Sequence, residues 1–573
     1  MDLITKQLED IFFNAIQTIS PDADRGKAVI QFTKDSTLGD LQCNSAMALA
    51  RDLKESPRSI AEKLISAVRE NGMDASDDPI EFMEIAGPGF INIRLKSTCI
   101  SSYLREQEEG KVYPSVVDKG PVIIDYSAPN IAKRMHIGHL RSTIIGDSIK
   151  RIYLHLGYRV VADNHVGDWG TQFGKLIIGY HKWLDKNAYE ENPIEELERI
   201  YVKFEQESAE DESLIAEARN ELKKLQDGDE ENSALWHEFI DSSMREYEKI
   251  YSRLGISFDT HRGESFYHDM MPGVIDVLKD KDILRESDGA LVVFFDEKDH
   301  LHPCIVRKQD GAYLYATSDL ACIKRRTEEY APEVIVYVTD DRQITHFKQV
   351  FNIADRLGWT VKREHIYFGV MKFTEGHFSS RKGNVIYLSH LLDEAEKRAF
   401  EIVTEKNPSL PEAERRDIAR AVGTGAVKYF DLSQNRTSNI IFEWDKVLSF
   451  EGNTSPYLQY VYARIQSLLK KSGIEGDPVP PSNFDLTEGE RKLVHSLLQY
   501  SNAVVQAASS YKPNVIADYI YELSQSFNSF YNSHPILKEE EEKRNVRLYL
   551  CSETAKVIKN GLELLGIEVL ERM

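Results

Sequence analysis

Apolar residues along this chain change their spacing several times, and each change marks a new element. The opening stretch MDLITKQLEDIFFNAIQTIS carries its apolar residues at helical spacing and predicts an amphipathic helix. Extended segments near Ala28–Phe32 and Phe82–Leu95 follow, with a helix at about Leu41–Asp52 and a turn at Gly87-Pro88-Gly89. These outline a small α/β unit over residues 1–112. Pro121–Tyr126 then reads as a buried strand. Ile145, Ile149, Ile152 and Leu156 share one helical face, Gly157 marks its end, and Arg159–Ala162 is the next strand. Strand–helix–strand with short connections is a parallel βαβ unit.

A second such unit runs through Val334–Val338, a helical face of Phe347, Val350, Phe351, Ala354 and Leu357, and a strand at His365–Val370. Two βαβ halves predict a doubly wound, Rossmann-type parallel sheet that binds its ligand at the carboxyl ends of the strands. This sheet domain spans residues 113–394 and is interrupted by an acidic, helix-patterned insertion at about 182–260, with Ile194, Leu197, Tyr201 and Phe204 on one face. A helical connecting region covers 395–450, and an all-α helical bundle covers 451–573. Within the bundle, Gly473–Ser482 is a linker, Thr487 with Glu490 a capping box, and Asn545–Leu565 the last helix.

At 573 residues the chain is too long for one ordinary core, which agrees with several domains. Apolar content of 42% and charged content of 29% describe a soluble protein. No apolar run nears the ~20 residues of a membrane helix, so no membrane association is expected. The carboxylates of the first helix argue against a targeting peptide. Cys43, Cys99, Cys304, Cys322 and Cys551 are scattered without a C-x-x-C pair, which speaks against a zinc knuckle or a disulfide framework and for the cytoplasm. A net charge of −22 confines any nucleic-acid contact to local basic faces. No dedicated metal-ligand cluster stands out.

The chemistry concentrates in two loops. Ser127–His139 joins the first strand of the sheet to a helix N-terminus, where free amides and the helix dipole attract anions. His136 and His139 flank Gly138 there; the imidazoles can donate to phosphate oxygens, and the glycine lets a nucleotide approach the backbone. The second loop, His377-Phe378-Ser379-Ser380-Arg381-Lys382-Gly383-Asn384, suits a clamp on triphosphate: hydroxyls and amides meet the oxygens while Arg381 and Lys382 neutralise charge. Taken singly, each loop also fits an exposed turn.

Together the loops resemble the H-I-G-H and K-M-S-K-S signatures of the class I aminoacyl-tRNA synthetases. Longer stretches are similar to the arginyl-specific branch. They are DYSAPNIAKRMHIGHLRSTIIGD (Asp125–Asp147), HVGDWGTQFG (His165–Gly174), DGAYLYATSDLA (Asp310–Ala321), DDRQITHF (Asp340–Phe347), GNTSPYLQYVYARI (Gly452–Ile465) and the final LLGIEVLERM. The clamp departs from the pattern: His377-Phe378 replaces Lys-Met and the second lysine is missing. The resemblance implies that Lys133, just before H-I-G-H, supplies that charge.

What the resemblance implies is an enzyme of translation that ligates L-arginine to its tRNA in two steps. ATP first forms arginyl-adenylate with release of pyrophosphate, and the arginyl group then passes to the 3′-terminal adenosine. Mg²⁺ is expected on the phosphates of ATP, and the chain is expected to be monomeric. A guanidinium calls for a bidentate carboxylate; Asp319 fills that role by resemblance, with Tyr315 packing beside it and Gln343 at the other end. Asp125, Ser127, Asn130 and His165 are candidates for the amino and carboxyl groups. Asp319 as a helix N-cap and Tyr315 as a core residue are the plainer alternatives. In the bundle, Tyr457, Gln459, Tyr460, Arg464 and the terminal Met573 are candidate anticodon contacts, although tyrosines at helical spacing equally suit a core. Phe90 and Asn92 are candidates to meet a D-loop base. A synthetase for another amino acid and a non-catalytic RNA-binding relative are the alternative readings.

Overall fold

The computed structural model describes residues 3–70, 78–373, 386–481 and 483–573. The N-terminal unit holds the helix α1 (Leu3–Ile19) and an antiparallel sheet of β1 (Ile30–Phe32), β2 (Leu41–Cys43), β3 (Ile80–Ala86) and β4 (Phe90–Leu95) in the order β1-β2-β4-β3. Helices α2 (Ser45–Leu53), α3 (Pro57–Glu70) and α4 (Ser97–Glu108) complete it. The expected helix at Leu41 therefore starts later. Leu41–Cys43 pairs with Ile91–Ile93 of β4, and ladder pairing outweighs the local helical pattern. Gly87 and Gly89 make the β3–β4 turn with φ of 52° and 146°; a Cβ on Gly89 would lie 2.6 Å from the Pro57 carbonyl carbon.

The central sheet is parallel. Its strands β5 (Val122–Asp125), β6 (Val160–Asp163), β10 (Val334–Tyr337) and β11 (Lys362–His365) lie in the order β11-β10-β5-β6. Every residue of β5 and β10 is buried, because helices cover both faces. Val122, Ile124, Val334 and Val336 pack toward α5 (Ile137–His155), while Ile123 and Ile335 pack in a second core with Leu320, Ile323 and Val350. The last strand sits earlier than the hydrophobic run His365–Val370 predicts. β11 is a polar edge strand, and Ile366 and Phe368 lie beyond its end and are buried.

The insertion is helical as expected: α6 (Thr171–Trp183), then α7 (Lys186–Glu191), α8 (Pro193–Glu210), α9 (Ser213–Gln226) and α10 (Glu230–Leu254). Not anticipated is the small antiparallel sheet of β7 (Leu284–Ser287), β8 (Ala290–Val293) and β9 (Cys304–Arg307), which follows α11 (Met271–Asp280) and precedes α12 (Tyr315–Tyr330) and α13 (Ile344–Arg356). Its strands are short and carry several charges, so the period-2 signal is weak.

β12 (Met371–Phe373) pairs in parallel with β13 (Ile440–Phe442), so the connecting region of α14 (Leu388–Lys406) and α15 (Glu412–Leu432) includes a strand as well as helices. The bundle is α16 (Trp444–Val447) through α17 (Ser455–Ser472), α18 (Glu488–Leu498), α19 (Tyr500–Ser510), α20 (Asn514–Ser533) and α21 (Glu541–Leu564). Thr487 and Glu490 form the expected capping box on α18. Among the described residues no helix is long and apolar enough to cross a membrane.

Candidate active site

The loop between β5 and α5 is built under backbone strain. Ser127, Ala128 and Ala132 have φ of 75°, 48° and 61°. Such conformations cost roughly 1 kcal/mol or more each for residues with a Cβ. Side chains hold them: the Ser127 amide donates to Ser142 Oγ (2.9 Å), that of Ala128 to Asn164 Oδ1 (3.0 Å), and that of Ala132 to Ser243 Oγ (2.9 Å). The insertion helix α10 thus helps to shape the loop.

His136 is the N-cap of α5. Its Nδ1 accepts the Gly138 amide at 3.0 Å, and Nδ1 of His139 accepts the His136 amide at 3.1 Å. An Nδ1 that accepts is unprotonated, so in the neutral ring the proton sits on Nε2. Both imidazoles therefore present Nε2–H donors, with ring centroids 4.1 Å apart. Burial pulls both pKa values down, that of His139 to about 3. At neutral pH they are dipolar donors, and the positive charge beside them comes from Lys133 and Arg342. Lys133 Nζ lies 5.0 Å from the centroid of the Tyr201 ring in α8.

Of the clamp loop, Ser379, Ser380, Arg381 and Lys382 lie outside the described residues. Its downstream flank is described and runs beside the imidazoles. The Ile137 amide donates to the Ile386 carbonyl (3.0 Å), the Leu388 amide donates to the Met135 carbonyl (2.9 Å), and His136 and Tyr387 form an antiparallel bridge.

An acidic cluster gathers around the start of α12. Tyr315 and Asp319 occupy one face in the first turns of α12; Tyr315 is 69% exposed, and Asp319 accepts from or pairs with His346 Nε2 at 2.5 Å. Neither is the plain alternative: the N-cap is Leu314, and Tyr315 is the exposed first residue of a helix. Asp319 holds the His346 pKa above its ordinary value, against the opposing effect of burial. Gln343 is exposed in the short 3-10 turn before α13.

Glu264 belongs to this cluster and went unnoticed in the sequence. Burial pushes its carboxyl up to about 7, aided by the nearby charges of Asp319 and Asp168 and opposed by His165. Glu264 also raises the Tyr315 phenol. Asp168, in the H-V-G-D stretch, accepts the Ser265 amide (2.8 Å) and hydroxyl (2.6 Å) and so fixes the segment that carries Glu264. Glu264 lies in GESFYHD, about a hundred residues from His165, and nothing local in that segment marks it.

Asp125 departs from its expected role. It ends β5 directly beside Asp163 at the end of β6, and both carboxylates bind the buried Arg326 guanidinium, at 2.8 and 2.5 Å. Burial raises the Asp125 pKa. Asp163 is depressed, since Arg326 and the Thr260 hydroxyl outweigh its burial. Asp125 is thus engaged within the protein by Arg326. Ser127 is likewise engaged within the protein, its hydroxyl 2.9 Å from both Tyr251 and Thr143 hydroxyls. Asn130 is exposed, and its side chain lies against Gly167, where a Cβ would come within 2.2 Å of its Oδ1. His165 Nδ1 is 2.9 Å from the Arg262 carbonyl and so donates to it, leaving Nε2 as an acceptor.

The candidate RNA contacts divide. Tyr460, Arg464 and Met573 line a cavity of about 390 Å³ with Tyr531 and Lys471. Arg464 stacks over the Tyr460 ring at 4.7 Å. Gln459 is corrected: it is fully buried and its amide donates to the Glu568 carbonyl at 2.7 Å, so it is a core residue that anchors the C-terminal segment. Tyr457 is half-buried, with Gln525 and Asn528 donating to its hydroxyl. Asn92 is also corrected: it is 2% exposed and accepts from Gln42, so Gln42 and the half-buried Phe90 face outward in its place.

Known proteins resemble the chain along its whole length. The family model for the class I (R) tRNA synthetase catalytic domain matches residues 100–444; that for the DALR anticodon binding domain matches 458–573, and that for the arginyl tRNA synthetase N-terminal domain 4–95. The arginine–tRNA ligase of Fusobacterium nucleatum is 53% identical over 100% of both chains, and that of Chromobacterium violaceum 41% identical over 97% of both. Among solved structures, the arginyl-tRNA synthetase of Plasmodium falciparum superposes over 100% of both chains with a TM-score of 0.80 at 29% identity. That of Thermus thermophilus matches in fold with the same TM-score at 24% identity, again over 100% of both chains. The chain belongs to the arginyl-tRNA synthetase family, the arginine-specific branch of the class I enzymes.

Proposed function

We propose that this chain charges arginine-accepting tRNA with L-arginine, and that the acidic pocket around Asp319 and Glu264 is where the side chain of the amino acid binds. One observation carries this assignment. Glu264 is a largely buried carboxyl that no described residue supplies with a cation, and it stands beside Asp319 and Asp168. Leaving such a group unpaired is costly, and a planar guanidinium answers it with several donors at once. Lysine offers a point charge and citrulline none.

In the first step the arginine carboxylate attacks the α-phosphorus of ATP, and pyrophosphate leaves. The residues bind, orient and stabilise charge. His136 and His139 direct their Nε2–H donors at phosphate oxygens, and Lys133 supplies the fixed positive charge that the departed clamp sequence lacks. Ser379, Ser380, Arg381 and Lys382 contribute from the clamp. In the second step a ribose hydroxyl of the terminal adenosine attacks the arginyl carbonyl of the adenylate and AMP leaves, while Tyr460, Arg464, Tyr531 and Met573 hold the anticodon end and Phe90 with Gln42 faces the body of the tRNA.

Mg²⁺ bound through the phosphates of ATP would neutralise their charge. The residues that best resemble a metal cage, Asp125, His165 and Cys322, do not fit it: Arg326 sits against Asp125, and a hard ion prefers oxygen to thiol. One chain supplies every group named, which supports a monomer, and its unpaired thiols suit the cytoplasm. Charging of purified tRNA with labelled arginine, with lysine and citrulline as controls, tests the assignment; transfer of a different amino acid would overturn it.

A further inference from the structure

Arg134, in the two-residue spacer between Lys133 and His136, and Tyr387, which follows the clamp, share one contact. Arg134 lays its guanidinium carbon 3.7 Å above the ring centroid of Tyr387. The Nε of Arg134 donates to Glu198 Oε2 at 2.6 Å, and the Tyr387 hydroxyl donates to Glu198 Oε1 at 3.2 Å. Both oxygens of Glu198 are thus used, and Glu195 adds a further ion pair to Arg134 at 3.3 Å. The three residues come from three separate parts of the chain: the signature loop, the insertion helix α8, and the segment leading into α14.

Tyr387 is also the residue bridged to His136, between the backbone bonds Ile137–Ile386 and Leu388–Met135. Through it, α8 is linked to the backbone on which the His136 imidazole is mounted. Arg134 and Glu198 are 23% and 22% exposed, so their pairing is only partly screened by solvent. Only a planar guanidinium both stacks on the ring and forks to the carboxylate.

We infer that Glu198, Arg134 and Tyr387 form a strut by which the helical insertion sets the position of His136. Tyr387 and Glu198 are then positioning residues for the activation step. This rests on the reading of His136 as a donor to ATP. Misplacement of a reacting group by a fraction of an ångström costs rate and leaves binding of the distant arginine side chain alone.

The test is arginine-dependent ATP–pyrophosphate exchange, run with tRNA present, on Tyr387→Ala, Tyr387→Phe, Arg134→Lys and the Tyr387→Ala/Arg134→Lys pair. Tyr387→Ala and Arg134→Lys are each expected to lower kcat about tenfold with the KM for arginine unchanged. Tyr387→Phe keeps the stacked ring and should recover most of that loss. The double variant should be no slower than the slower single, because one strut is broken once. Wild-type kcat in the singles, or losses that multiply in the double, overturns the inference. Glu198→Gln, an isosteric change at a partly exposed site, carries the same test if Tyr387→Ala does not fold. His136→Asn runs alongside. If it keeps full activity, the reading of His136 fails; if it is inactive while the strut variants are normal, the strut alone fails.

Discussion

The amide of Gly138 donates to Nδ1 of His136 at 3.0 Å, and this one bond decides where the imidazole keeps its proton. With Nδ1 occupied, Nε2–H is the face offered to the crevice. A Cβ on Gly138 would lie 2.7 Å from Cε1 of the same ring. Gly138→Ala must therefore push the ring away. It is expected to reduce kcat about 100-fold, the scale of losing an oriented donor, while calorimetry finds the unfolding temperature nearly unchanged.

Glu264 makes arginine binding depend on pH. Its carboxyl, raised by burial to about 7, is largely protonated in the empty pocket at pH 6, whereas a guanidinium needs the carboxylate. Arginine affinity should rise with pH up to about 7 and level off above it. The sign for stability is opposite: a raised carboxyl favours the free folded chain below its ordinary range and loses that support as pH climbs through 7. Arginine should thus stabilise the protein more at pH 8 than at pH 6 in a thermal-shift series. Glu264→Gln should flatten both curves, and an unaltered pH profile in that variant would falsify the assignment.

Asp319 is the second acid. Its replacement by Asn keeps the shape and removes a charge that faces a bound cation, at a cost of about 3 kcal/mol or roughly 100-fold in kcat/KM for arginine. Discrimination between arginine and citrulline should shrink with it. Steady-state charging with both substrates measures the two effects together.

Lys133 bears the charge that the clamp lacks. Lys133→Ala should depress kcat by about two orders of magnitude, with the KM for arginine little changed. Near wild-type turnover would remove Lys133 from the mechanism and return the task to Arg381 and Lys382.

Arg141 and Asp431 form an ion pair with both side chains 1% exposed, and Arg141 also donates to the Gly369 carbonyl at 2.6 Å. The pair rivets α5 to α15. Burial raises the Asp431 pKa against the pull of Arg141. Asp431→Ala strands a buried cation and should cost about 3–5 kcal/mol, seen as a lower urea midpoint. A midpoint within error of wild type would show that Arg141 finds another partner.

Much of the fold was legible because its signals are local. The buried runs of β5 and β10, the glycine stops and the Thr487 capping box each depend on residues within one turn or one strand. The strands that sequence reading missed, Leu41–Cys43 and β7–β9, owe their form to partners elsewhere, and polar or short segments show little pattern of their own. Gln459 and Asn92 have the chemistry of RNA readers, yet neighbours such as Glu568 and Gln42 consume it.

By itself the sequence determined the family chemistry: a strand, a loop, two imidazoles around a glycine, and a helix dipole behind them, all within a few consecutive residues. It also brought Tyr315 and Asp319 into one motif, while the structure showed that both lie in the first turns of α12. Tertiary structure alone decided which charges remain available for ligands. Asp125 is paired with Arg326, some two hundred residues away, while Glu264 is left beside two other acids with no cation among the described residues. The field at a carboxylate depends on distance through space, and no spacing along the chain encodes that.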